Sequence, residues 1–190
     1  MKEPIEPLAA ASHILQALPG GILLTTRSGQ RVNTMTIAWG MLGIDWSLPM
    51  FITFVRTSRL SYEFLQETPE FTINVPTSPI DRRILGIAGT KSGRDMDKIS
   101  ALGLHLEAPE VISVPGIREL PLTLECRVAY RQAQDPAAIP QKLRDAYHPA
   151  TGTDLTKALN RTYHTAFYGE IVAAYIIRQS GPAGEASRRL

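Results

Sequence analysis

The stretch "VRTSRLSYE", residues 55–63, sets Arg56 and Arg59 among Thr57, Ser58, Ser61 and Tyr62. Guanidiniums form bidentate, charge-assisted bonds to phosphate or carboxylate oxygens, and hydroxyls add further donors. The same residue types also suit a solvated turn. A second stretch, "GTKSGRDMDK" (89–98), joins Gly89, Gly93 and Ser92 to Lys91, Arg94 and Lys98. Glycine-rich backbone at a helix start leaves N–H groups free to face an anion. A third, "VNTMTIAWG" (32–40), puts small and polar side chains on a strand that ends in Trp39. Each stretch alone reads best as a solvated turn. The three together, with a tryptophan and a methionine beside the cations, point to a phosphorylated aromatic ligand.

Other chemistries lack their residues. His13, His105, His148 and His164 show neither an i,i+4 pairing nor a carboxylate at ligand spacing, so no metal site is expected. No G-x-S-x-G elbow, no strand-borne G-x-G-x-x-G and no G-x-x-x-x-G-K-[ST] occurs. The single Cys126 excludes a disulfide within the chain and alternates with apolar residues, as a buried thiol would.

The elements that must position these residues can be read from periodicity. "LAAASHILQAL" (8–18) suits an amphipathic helix after Pro7, stopped by Pro19, Gly20 and Gly21. "GILLTTR" and "VNTMTIAW" flank "SGQ" as a hairpin, "MFITFV" is a third strand and "FTINV" (71–75) a fourth. Ser58 is a candidate cap for a short helix through Leu65, and Asp95 for one through Leu102. "PIDRRILGIAG" has helical spacing, while Leu122, Leu124, Cys126, Val128 and Tyr130 alternate as a strand with one buried face. "TAFYGEIVAAYIIR" is the longest strand candidate. Residues 131–163 are polar and loosely helical, an insertion suited to a lid or a dimer contact. The pattern predicts a mainly β fold, a barrel with additional helices: one domain over residues 1–178, then a flexible tail at 179–190.

The 190 residues are 44% hydrophobic and 20% charged, ordinary for a globular domain. The net charge of +2 matches the surplus on the tail, so the body shows no basic face for nucleic acid. The longest apolar run, "IVAAYII" (171–177), is far too short to cross a membrane, and Glu3 and Glu6 argue against a signal peptide. A cytoplasmic protein without nucleic-acid or membrane partners is expected. Because that run is apolar on both faces, it also predicts a covered outer surface and hence a homodimer.

"PGG" before "LLTT", then "NTMTIAWGM", "PMFITFVRTSRLSYE", "FTINVP" and "SGRDMDK" resemble the flavin reductase-like family of FMN-binding split barrels, flavoredoxin type. The resemblance runs over about residues 19–128, with a further match at "HTAFYGEIV". It implies a six-stranded antiparallel Greek-key split β-barrel, commonly a homodimer, that transfers electrons between NAD(P)H, FMN and an acceptor. By motif, Asn33, Thr34, Met35 and Thr36 would line the flavin ring, with Trp39 beside it and Asn74 approaching it. Arg56, Ser58 and Ser61 would hold the phosphate or ribityl chain, and Ser92, Arg94 and Lys98 would close over the phosphate. His164 takes the place of a family histidine near the nicotinamide or flavin edge, the candidate catalytic residue. Many two-component reductases carry Gly-Asp before that histidine, whereas this chain has "RTYHTAF". The alternatives are therefore an FMN electron carrier with little direct NAD(P)H activity, serving a redox partner protein, or a non-enzymatic flavin-binding barrel.

Overall fold

The computed structural model describes residues 1–148 and 162–178. After β1 (Lys2–Pro4) and α1 (Ala11–Ala17), the chain forms the hairpin β2 (Ile22–Ser28) and β3 (Arg31–Ile37), then a second hairpin, β4 (Gly40–Asp45) and β5 (Leu48–Arg56). Helix α2 (Leu60–Glu67) leads into β6 (Glu70–Val75), and α3 (Arg82–Thr90) and α4 (Lys98–Leu102) follow. A small ribbon of β7 (Leu106–Glu107) and β8 (Gly116–Ile117) precedes the long β9 (Leu122–Ala133), α5 (Gln141–Tyr147) and β10 (His164–Ile177).

The main sheet is antiparallel, in the order β3-β2-β6-β9-β10-β5-β4, with β1 added on β10. Among the described residues it has eight strands, not the expected six. The two extra ones are β1 and β4. Neither carries a buried apolar alternation: β4, "GMLGID", is an edge strand whose residues are mostly exposed. Side chains from β2, β3, β5, β6, β9 and β10 meet in one core that includes Ile22, Met35, Phe51, Ile73, Leu124 and Phe167. Strands far apart in the sheet order reach one core only because the sheet curls around it. Ile14 of α1 and Leu65 of α2 also pack into it. On the other face of β2, Leu23 packs with Ile84 and Ala88 of α3.

Two helix starts differ from expectation. Ser58 does not cap α2; Arg59 holds the N-cap position without a side-chain bond. Asp97, rather than Asp95, caps α4 by accepting from the N–H groups of Ile99 and Ser100. The predicted tail at 179–190 lies outside the described residues. No residue of the apolar run in β10 is exposed. Within that run the strand edges pair with β9 and β1.

Candidate functional site

A cavity of about 380 Å³ opens where β3, β5, β10 and α5 converge. Met35, Thr36 and Ile37 line it from β3, followed by Ala38 and Trp39. Phe54 and Arg56 enter from the end of β5, His164 from the start of β10, and Ala146 and Tyr147 from the last turn of α5. Arg56 and His164 are register partners across the β5–β10 ladder, which brings them to one end of the barrel. The Trp39 ring lies 5.3 Å from Tyr147, edge to face, and 5.1 Å from His164.

The local field is strongly positive. His164 is buried, and desolvation, reinforced by Arg56, His148 and Arg59, lowers its pKa to about 3. It is therefore a neutral imidazole at ordinary pH. The Arg56 guanidinium donates to the Tyr147 carbonyl (2.8 Å) and to the Thr162 carbonyl, and lies 3.1 Å from His148 Nδ1. That nitrogen also lies 3.3 Å from the Thr162 carbonyl, so it accepts from the guanidinium in one tautomer and donates to the carbonyl in the other. Burial and Arg56 lower the His148 pKa, against the opposing pull of the Thr162 carbonyl.

A narrow cleft adjoins this cavity and shares Met35 and Arg59 with it. Asn33, Ser58, Leu60, Ser61, Lys91, Ser92, Gly93 and Lys98 complete its lining. Lys98 is only 4% exposed. Its Nζ donates to the Ala88 carbonyl at 3.3 Å, and no carboxylate among the described residues pairs with it. Desolvation, with Arg59 adding repulsion, lowers its pKa to about 8. Arg59, also desolvated, donates to the Gly89 carbonyl at 3.3 Å. A buried cation without a counter-charge is costly unless an anion joins it. Asn33 Nδ2 donates to Ser61 Oγ at 2.9 Å. A Cβ on Gly93 would lie 2.2 Å from Asn33 Oδ1, so only glycine lets this loop approach β3 so closely.

The structure thus divides the residues singled out in the sequence. Met35, Thr36, Trp39, Arg56 and His164 line the larger cavity, and Asn33, Met35, Ser58, Ser61, Ser92 and Lys98 line the cleft. Arg94 lines neither. It ties the 92–94 loop to α2 by donating to the Ser58 carbonyl (3.0 Å) and pairing with Glu63. Thr34 and Asn74 are buried on the sheet face opposite the core, the face they share with Leu23. Thr34 Oγ1 donates to the Leu24 carbonyl, and Asn74 Nδ2 donates to Thr123 Oγ1 at 3.1 Å while its Oδ1 accepts from Thr25 Oγ1. The motifs hid this because consecutive strand residues face opposite sides of a sheet. Arg59 and Tyr147 were missed as site residues. Arg59 was visible in the first stretch; Tyr147 sits in a polar segment with no signal of its own.

A family model described as "Flavin reductase like domain" matches residues 15–186. An uncharacterised protein of Archaeoglobus fulgidus is 31% identical over 52% of this chain and 55% of its own length. A high molecular weight rubredoxin of Moorella thermoacetica is 24% identical over 86% of this chain and 58% of its own length. The matches thus span little more than half the length of these curated relatives. Among solved structures, flavoredoxin of Desulfovibrio vulgaris superposes with a TM-score of 0.59 at 22% identity, covering 83% of this chain and 69% of that one. An FMN-binding domain of a flavin reductases-like enzyme from Shewanella baltica gives 0.61 at 19% identity, over 93% and 77%. At these identities the likeness is one of fold.

Proposed function

Because the chain belongs to the flavin reductase-like family, we propose that it is an FMN-dependent oxidoreductase that moves electrons between NAD(P)H and an acceptor. One observation carries this reading: a ring-sized cavity continues, through Met35 and Arg59, into a cleft that holds a buried lysine with no carboxylate partner among the described residues. The residues fit the group. The cleft offers Lys98, Arg59 and the hydroxyls of Ser58, Ser61 and Ser92 to a phosphate, with close backbone approach at Gly93. Asn33 lines the cleft beside Met35 and is available to the polyol, and the segment from Met35 to Trp39 flanks a flat ring.

FMN supplies the redox chemistry, accepting and releasing electrons as a pair or singly. The chain has to bind it, orient it and keep water from its face. The apolar side chains of Met35, Ile37, Ala38 and Phe54 serve that exclusion. His164, neutral and wedged beside Trp39, can donate or accept one hydrogen bond at the cavity but carries no charge to the reaction. We place Arg56 on the ring side, because its bonds run to the Tyr147 and Thr162 carbonyls. A homodimer is part of the proposal, supported by the exposed Met41, Ile44 and Trp46 of the β4–β5 hairpin.

The second reading, an FMN electron carrier for a redox partner protein, draws on the likeness in fold to flavoredoxin. Titrating the cofactor-free chain with FMN and riboflavin tests the site. FMN should bind about 10- to 150-fold more tightly, the worth of one or more charge-assisted bonds. Equal affinities would overturn the phosphate cleft. Bleaching of the FMN complex by NADH or NADPH without oxygen supports the oxidoreductase; a spectrum that neither nucleotide changes leaves the carrier.

A further inference from the structure

Helix α5 stands apart from the rest of the fold. None of its residues is buried, so it contributes nothing to the core. Along its own surface Gln141 donates to Asp145 and accepts from Arg144. Its C-terminal end is nevertheless fixed. Buried Arg56 reaches out of the barrel and donates to the carbonyl of Tyr147, the last residue of the helix, and to the carbonyl of Thr162, two residues before β10 begins. The same guanidinium holds His148, whose ring stacks on Tyr163 at 4.4 Å. One side chain therefore gathers both approaches to the barrel end. What it holds in place is Ala146 and Tyr147, which wall the ring cavity. Tyr147 is 50% exposed and meets Trp39 only edge to face, so a face of its ring stays open.

We propose that Tyr147 is the specificity-determining residue of the ring cavity, offering its ring to a small planar redox partner such as a nicotinamide, and that Arg56 is the positioning residue that holds it there. The proposal rests on the oxidoreductase reading and decides between its two forms. A rigid aromatic pair at the mouth, Trp39 and Tyr147, gives a flat ring contact area at low entropic cost. It also narrows the opening through which anything larger would have to reach the cavity.

The test uses the full chain loaded with FMN, reduced anaerobically by NADH or NADPH. Tyr147→Ala should raise the nucleotide concentration for half-maximal reduction by about 5- to 150-fold, as for loss of one aromatic stacking contact. That rise should exceed any fall in FMN affinity, and Tyr147→Phe should recover most of the loss. Arg56→Ala should give the same rise, with no further loss in the double variant, because the two residues act through one contact. Arg56→Lys should fall between, since a single ammonium cannot span both carbonyls. In the cofactor-free chain, Arg56→Ala should speed hydrogen exchange of the α5 amides. Unchanged exchange there overturns the positioning role. Half-saturation unmoved by Tyr147→Ala overturns the specificity role, as does a matching fall in FMN affinity or conversion of a dimer to a monomer. A wild-type chain that binds FMN but is reduced by neither nucleotide overturns this inference and leaves FMN binding standing. Failure to bind FMN sinks the underlying reading as well.

Discussion

Lys98 and His164 show how one buried, positive site sets two different titrations. Lys98, with its pKa lowered to about 8 from 10.5, is disfavoured as a cation in the folded chain. The unfolded chain binds more protons between those two values, so stability should rise with pH across that interval. A shift of this size corresponds to roughly 3 kcal/mol of destabilisation below pH 8. Lys98→Met, which removes the charge at similar volume, is expected to stabilise the cofactor-free chain at neutral pH and to abolish that rise. It should also cut FMN affinity without weakening riboflavin. Thermal unfolding against pH, with both flavin titrations, checks all three. His164 behaves in the acid range. Its folded pKa of about 3 lies below the ordinary 6.5, so only the unfolded chain takes up a proton between them. Stability should therefore fall as pH drops from 6.5, and fall less steeply in His164→Gln. Nor should any titration of flavin reduction between pH 5 and 8 disappear in that variant.

Among the elements, β9 carries a carboxylate that organises the chain around it. Glu125 is fully buried and accepts from the N–H groups of Glu110 (2.6 Å), Val111 (2.8 Å) and Ile112 (3.1 Å) and from the Tyr175 hydroxyl (2.8 Å). Lys2 lies over the Tyr175 ring and pairs with Glu110, drawing β1 to the same cluster. These bonds pin the segment between β7 and β8 to the barrel. Glu125→Gln keeps the shape but loses the charge and turns one acceptor into a donor facing backbone N–H groups. It is expected to cost about 3 kcal/mol, and Tyr175→Phe about 1–1.5 kcal/mol. Urea unfolding would measure both. The FMN to riboflavin affinity ratio should not change, because the cluster lies away from the cleft.

For the whole molecule, the open question is what meets the β4–β5 hairpin. Its tip presents Ile44 at 68% exposure and Trp46 at 57%, with Met41 beside them, and Trp46 touches Tyr130 edge to face. Trp46 and Ser47 both adopt positive φ, which turns the hairpin tightly and projects the indole. Exposed apolar residues gathered on one edge suit a second copy of the chain. Ile44→Lys and Trp46→Lys are each expected to convert a dimer into a monomer in sedimentation at micromolar concentration. A wild-type chain that sediments as a monomer with FMN bound would remove this surface from consideration. Among the described residues, no helix is long and apolar enough to cross a membrane.

The local elements and the residue types of the site are legible from the order of amino acids alone. The β2–β3 hairpin, the alternation in β9, the helical spacing of α3 and the long β10 all follow from neighbours a few residues apart. So do the hydroxyls, glycines and cations that signal an anion. What those residues face depends on how the strands and helices pack. Register and curl of the sheet sent Asn74 and Thr34 into a buried polar network and left Asn33 and Met35 at the site. The same packing turned Arg56 toward carbonyls distant in the chain and left Lys98 buried beside the cleft without a carboxylate partner among the described residues. Tyr147 became a cavity wall only because α5 folds back over the barrel end. Periodicity is a property of adjacent residues, whereas burial and partnership depend on segments that meet only once the sheet has closed around its core.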